Sequence, residues 1–219
     1  MLKEYKKELE KITNNVSHIL NDIKKANELI LEAAKNDCKE SLNKAKELLR
    51  NMSNKTTKID NEIVIMMAKY APEARDLRLL VAFLKMTTAL NRMAINTKNL
   101  IKGFFYFCQE DGKLKEIKEL YIAMHKEVLQ TFNYLLAMLK CEDSDEVKEL
   151  YNQIVVNESK LDDYYATLEE KLITKSSDLE SYKHYSKLLS YLRKAEKIGD
   201  RAVLIASLLL FAKVGGELI

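Results

Sequence analysis

The chain has 219 residues, and 36 basic against 33 acidic side chains leave a formal net charge of +3. These charges are finely interspersed, as on a solvated helix surface, which speaks against duplex nucleic acid as a ligand because that needs basic charge gathered on one face. Five glycines and one proline leave few places to turn, and the abundant Leu, Lys, Glu and Ala are strong helix formers, so an all-α fold with a sizeable core is expected.

Leu2–Lys35 has a helical pattern, with Leu9, Ile12, Val16, Leu20 and Ile23 spaced three or four apart. Asn36-Asp37 makes a turn. Cys38–Tyr70 reads as one continuous second helix, through Leu42, Ala45, Leu48 and Leu49 and then Ile59, Ile63 and Met66. Pro72 falls where the first turn of a third helix belongs, a position at which its missing N–H costs nothing. That helix runs through Phe107, and Asp111-Gly112 closes the first half.

The second half repeats the plan. One helix covers Lys115–Lys140, Glu142-Asp143-Ser144 is a turn, and another helix covers Asp145–Ile173. Ser177 with Glu180 three residues on forms a capping box for the last helix, which runs to about Val214 and ends at Gly215-Gly216. Six long antiparallel helices, each about 30 residues or roughly 45 Å, are expected to form two tandem three-helix bundles joined end to end. The first spans residues 1–110 and the second residues 113–219. Met66, Met67, Met86 and Met93 lie at helical spacing and read as core.

Cys38, Cys108 and Cys141 are scattered, odd in number and lack metal-type spacing, which indicates reduced thiols. Met1–Glu10 alternates in charge and carries no export signal. Ala202–Lys213 is apolar apart from Ser207 and its terminal lysine, yet about 12 residues is short of the roughly 20 that span a bilayer. A cytoplasmic protein without a membrane span is expected. The run Ala202–Phe211 and the aromatic block Phe104–Phe107 exceed what one three-helix bundle needs, so a homodimer or partner contact is expected as well.

The segment Ala195-Glu196-Lys197-Ile198-Gly199-Asp200-Arg201-Ala202 has a degraded copy 105 residues earlier, Leu90-Asn91-Arg92-Met93-Ala94-Ile95-Asn96-Thr97. Asn91 stands where Glu196 does, and Ile95 where Asp200 does. Glu158 falls on the apolar stripe Ile154, Leu161, Tyr165, Leu168, Leu172, with Asp162 beside it. Glu196 sits between Leu192 and Gly199 on the stripe of the last helix. Each acid pair is i,i+4 and shares one helix face, and Gly199 removes a side chain beside them so that another helix can approach. Four carboxylates meeting in a low-dielectric core need cations, and hard oxygen donors suit iron, manganese, magnesium or calcium. Acid pairs at this spacing recur elsewhere as solvated surface, as in Glu142/Glu146 and Asp145/Glu149. Lys160, Lys194, Lys197 and Arg201 supply the alternative of ordinary salt bridges.

No catalytic machinery is evident. His18, His125 and His184 are isolated and share no helical face with the acids, so they read as surface or core. No Gly-rich phosphate loop is present to support ATP hydrolysis. A carboxylate-bridged metal enzyme needs histidine ligands beside its acids in a bundle of this kind, and none is placed for it.

Tyr70-Ala71-Pro72-Glu73-Ala74-Arg75-Asp76-Leu77-Arg78, followed by Lys85 and Leu90-Asn91-Arg92-Met93, resembles the PhoU family of phosphate-transport regulators. There a proline and an Asp-Leu-Arg (here Pro72, Asp76 and Arg78) open the third helix, and a Leu-Glu-Arg-Ile-Gly-Asp motif lies along it. Glu158-Ser159-Lys160-Leu161-Asp162 and Glu196-Lys197-Ile198-Gly199-Asp200 are forms of the family's E(D)xxxD signature. The resemblance runs from about Leu9 to Gly216. It implies two three-helix bundles with metal on their surfaces, held here by Glu158, Asp162, Glu196 and Asp200, the ion being iron, manganese, magnesium, zinc or calcium. The first-half counterpart would use Thr56, Asp60, Asn91 and Ile95, where Asp60 is the one acid left. The resemblance further implies a cytoplasmic, non-enzymatic role repressing the phosphate-starvation response, through a phosphate ABC-transporter ATPase or a sensor histidine kinase. An accessory protein of another phosphate or cation transporter, with no bound metal, is the alternative from the same fold.

Overall fold

The computed structural model describes residues 2–36, 39–107 and 115–216, and every regular element among them is a helix. They are α1 (Leu2–Asn36), α2 (Lys39–Leu48), α3 (Met52–Tyr70), α4 (Ala74–Phe107), α5 (Lys115–Lys140), α6 (Ser144–Thr174) and α7 (Leu179–Val214). The periodic apolar positions are the ones that bury: Ile12, Val16, Leu20 and Ile23 on α1, Ile59, Ile63 and Met66 on α3, and Leu161, Leu168 and Leu172 on α6. Met86 and Met93 are core too, while Met67 packs at its edge. The turns at Asn36-Asp37 and Asp111-Gly112 involve positions outside the described residues.

Local readings change at three points. The helix expected over Cys38–Tyr70 is two, because Asn51 takes a left-handed conformation (φ 55°, ψ 25°) between α2 and α3. The Arg50 amide closes the last turn of α2 on the Glu47 carbonyl at 3.0 Å, and the Lys55 amide opens α3 on the Asn51 carbonyl at 3.1 Å. Asn tolerates that backbone better than other side chains, and Leu49 and Met52 stay buried on either side. Pro72 precedes the third long helix instead of entering its first turn, since the Glu73 carbonyl accepts the first helical bond, from Leu77 at 2.8 Å. The cap of α7 lies one residue later than expected. Asp178 accepts from the Ser181 amide at 2.8 Å, and the Ser181 hydroxyl accepts in return from the Asp178 amide at 3.1 Å.

Helices α1 to α4 form one bundle, the α2–α3 pair standing in place of its second helix, and α5 to α7 form the other. The bundles pack side by side, not end to end. α4 lies along α7, and α1 touches α5. Gly103, late in α4, meets Tyr191, early in α7; at the opposite end Arg75 and Lys213 both reach Glu142, at 2.8 and 3.1 Å. The two helices are therefore antiparallel. This arrangement accounts for part of the long apolar run of α7: Ala202, Ile205, Ala206, Leu208 and Leu209 are buried within the chain, as is Phe104, whereas Val203, Leu204, Leu210 and Phe211 are half-buried. Phe105, Tyr106 and Phe107 carry side chains outside the described ones.

A polar tie crosses the seam between the bundles. His125 of α5 is fully enclosed and places Nε2 2.9 Å from the backbone carbonyl oxygen of Asn27 on α1. The Asn27 amide group donates in turn to Thr97 Oγ1 on α4, at 3.0 Å. A carbonyl can only accept, so Nε2 carries the imidazole proton and Nδ1 is bare.

Candidate metal centre

Three of the acids singled out in the sequence come together. Glu158 and Asp162 project from α6 and Asp200 from α7, with one oxygen of each within 4.8 Å of the others. The i,i+4 spacing puts the α6 pair on one face, and Gly199 brings α7 onto it. A Cβ at position 199 would stand 2.9 Å from Leu161 Cδ1 and 3.4 Å from Glu158 Cγ. The cluster lies at the protein surface, not in the core, with Asp162 exposed and Glu158 and Asp200 half-buried.

The fourth acid, Glu196, is held beside this group. Lys197 donates to Glu196 Oε1 at 2.9 Å and to Asp200 Oδ2 at 2.8 Å. Arg193 Nε stands 3.7 Å from Glu196 Oε2, an oxygen that is buried and has no hydrogen-bond partner among the described residues. Of the lysines and arginine proposed as neutralisers, Lys197 takes that part, whereas Lys160 pairs with Glu127 at 3.8 Å. Arg193 was not among the residues expected at the site; its signal was its place three residues before Glu196 on the same helix face.

The electrostatics reflect crowding of like charge. Loss of hydration against α7, then the charges of Asp162, Asp200 and Glu196, raise the Glu158 carboxyl above the usual carboxylate range. Asp162 is raised by the same loss of hydration and then by Asp200. The bonds to Asp200 and Glu196 raise Lys197.

The equivalent positions of the first half carry one carboxylate, Asp60. Thr56 is buried and its hydroxyl donates to the Ser53 carbonyl at 2.9 Å. Asp60 accepts from the Thr87 hydroxyl at 2.6 Å, Asn91 is half-buried, and Ile95 offers an exposed alkyl group. The Pro72, Asp76 and Arg78 motif lies elsewhere. Asp76 accepts from the Tyr5 hydroxyl at 2.8 Å, and the Tyr5 ring meets Tyr70 edge-on with centroids 5.4 Å apart. Burial, then Asp76, pushes the Tyr5 phenol well above its ordinary range. Asp76 thus clasps α1 to the α3–α4 turn.

Three carboxylates with no histidine or cysteine among them make an all-oxygen donor set, which suits magnesium, manganese, calcium or ferric iron better than zinc. The buried Oε2 of Glu196, which accepts no hydrogen bond among the described residues and has Arg193 only at ion-pair distance, fits the same reading.

Two tandem three-helix units with an acidic cluster across two helices of the second define a duplicated helical-bundle protein. The model of the PhoU domain matches the chain twice, over residues 16–103 and 121–209, and the chain belongs to this family of phosphate-transport regulators. Among solved structures it is similar to the phosphate transport system regulatory protein PhoU from Streptococcus pneumoniae (TM-score 0.81, 18% identity), covering 97% of this chain and 98% of that one. It is also similar to PhoU from Pseudomonas aeruginosa (TM-score 0.66, 22% identity, 98% of both chains). A PhoU-like protein from Shewanella oneidensis aligns with a TM-score of 0.53 at 12% identity, over 88% of this chain and 98% of that one. At these identities the likenesses concern the fold. No curated protein matches the chain by sequence.

Proposed function

We propose that this chain regulates phosphate uptake and phosphate-starvation signalling in the cytoplasm, as a metal-binding helical adaptor to a transporter ATPase or a sensor histidine kinase. The observation that carries the metal part is the convergence of Glu158, Asp162 and Asp200 within 4.8 Å. These residues would hold the ion, with Glu196 as the nearest reserve donor. A bound cation supplies the charge that lets α6 and α7 keep their acids face to face. Among the described residues no helix is long and apolar enough to cross a membrane, which agrees with a protein that approaches a transporter from one side. Val64 and Ile65 on α3 and Ile95 on α4 expose apolar side chains, and these offer surface for a partner or for a second copy of the chain.

Metal analysis of chain purified without an affinity tag tests the metal part. Bound manganese, iron, magnesium or calcium is expected, together with a chelator-induced fall in melting temperature that Asp162→Asn, Asp200→Asn abolishes. A metal-free protein whose melting ignores chelator overturns it. The adaptor part is tested by binding to the purified phosphate-transporter ATPase and to the kinase, either of which should retain the chain at micromolar concentration. A second reading, an accessory protein of another transporter that works without metal, is favoured by one observation. Lys197 already bonds two of the four acids.

A further inference from the structure

We infer that Lys197 is a tethered competitor for the metal: a cation fixed within the carboxylate set, which an incoming ion must displace from Asp200. This inference rests on the metal reading above and adds how that site is controlled.

Asp200 belongs to both groupings. Its carboxylate is one of the three that converge with Glu158 and Asp162, and its Oδ2 accepts from the Lys197 ammonium at 2.8 Å. The same ammonium holds Glu196 Oε1 at 2.9 Å, and Arg193 stands near the other oxygen of Glu196. The fourth carboxylate is therefore kept beside the cluster by cations of its own helix. Lys197 is the positive charge acting on both Glu158 and Asp162, and with Arg193 beside Glu196 two cations stand against four acids, which leaves the set anionic.

An ammonium on Oδ2 and a metal ion on the same carboxylate repel one another across a few ångströms and divide the charge of Asp200 between them, so the ion is held more tightly once the ammonium leaves. The lysine stem is long and flexible, and its side chain is about one-third exposed, so the head group has solvent to move into. Displacement frees Asp200 completely and releases one restraint on Glu196. A monovalent ion brings no more charge than the lysine it replaces, and a divalent or trivalent ion does. Lys197 therefore sets a threshold of charge and concentration below which the site stays closed by its own chain.

The test uses the full chain, stripped with chelator, as wild type, Lys197→Met, Lys197→Gln and Lys197→Arg. Each is titrated with manganese(II) chloride by calorimetry and melted with chelator or with saturating manganese. Removing the ammonium should tighten manganese binding at least about fivefold in the Met and Gln variants, the scale of a partly exposed ion pair. The Arg variant should stay near wild type. The two neutral variants should also melt lower than wild type in chelator, where repulsion among the acids is no longer relieved, and gain more on adding manganese. These opposite shifts distinguish competition from a merely structural lysine. If wild type binds manganese and the neutral variants bind equally, more weakly or less than fivefold tighter, the competitor role is overturned and the metal reading stands. If no variant binds, both fall together and Lys197 is an ordinary salt-bridge partner.

Discussion

Adding a methyl group at either of two glycines separates two kinds of tight contact. At Gly199 the new Cβ would press on Leu161 Cδ1 at 2.9 Å, the mobile tip of a side chain. At Gly103 it would lie 2.4 Å from Tyr191 Cβ, an atom fixed to the backbone of α7. Alanine also gains about 0.5–1 kcal/mol of helix propensity over glycine. Gly199→Ala should therefore change stability by less than about 1 kcal/mol, whereas Gly103→Ala should lose about 2 kcal/mol or more through overpacking. Urea denaturation of both variants checks the contrast, and equal effects would contradict it. His125 makes a second case at this scale. Burial lowers its imidazole from an ordinary 6.5 to about 4, so between those values the unfolded chain takes up a proton that the folded chain refuses. Stability should fall as pH drops from about 6.5 to 4, by up to about 3 kcal/mol from this residue. His125→Gln keeps an N–H donor for the Asn27 carbonyl and should remove that share, read as the difference between the two urea midpoints at pH 7, 5.5 and 4. Nothing in the sequence marks His125 as buried in this way, because its partner lies 98 residues away on another helix.

At the scale of elements, the helices were largely legible because burial follows the 3.6-residue period, and the acids of α6 and α7 could be placed on one face by counting. Contacts between helices were not legible. Periodicity shows which face of α7 is apolar, but it does not show that α4 covers part of that face. Of the apolar residues in Ala202–Phe211, which suggested an external partner, Ala202, Ile205, Ala206, Leu208 and Leu209 are buried inside the chain, while Val203, Leu204, Leu210 and Phe211 stay half-buried. The α2–α3 break escaped notice for a local reason: Glu47-Leu48-Leu49-Arg50 favours helix, and the stop depends on one residue, Asn51, taking a positive φ. Asn51→Gly should therefore leave stability nearly unchanged, while Asn51→Ala should lose about 1 kcal/mol from the left-handed backbone. If Ala is tolerated as well as Gly, the break is set by packing of Leu49 and Met52 instead.

Across the whole molecule, the antiparallel α4–α7 seam and the Asn27–Thr97–His125 tie join the bundles over a long apolar contact. The chain should unfold in one step, with the far-ultraviolet and tyrosine signals superposing through the urea transition; it has 11 tyrosines and no tryptophan. Two separated transitions would show that the bundles fold independently. The joint at Asn51 bears on the mechanics of this assembly. α6 is an uninterrupted rod of 31 residues, about 46 Å long, and displacement at one end is transmitted to the other. Its counterpart in the first half is hinged, and its shorter arm, α2, has 10 residues, fewer than a helix needs to persist by itself. The duplicated halves thus differ in stiffness as well as in chemistry: the half with the acids is the rigid one, and the other is compliant. Amide hydrogen exchange should register this as faster opening of Ser41–Leu48 than of the central turns of α6, a gradient set by one backbone angle.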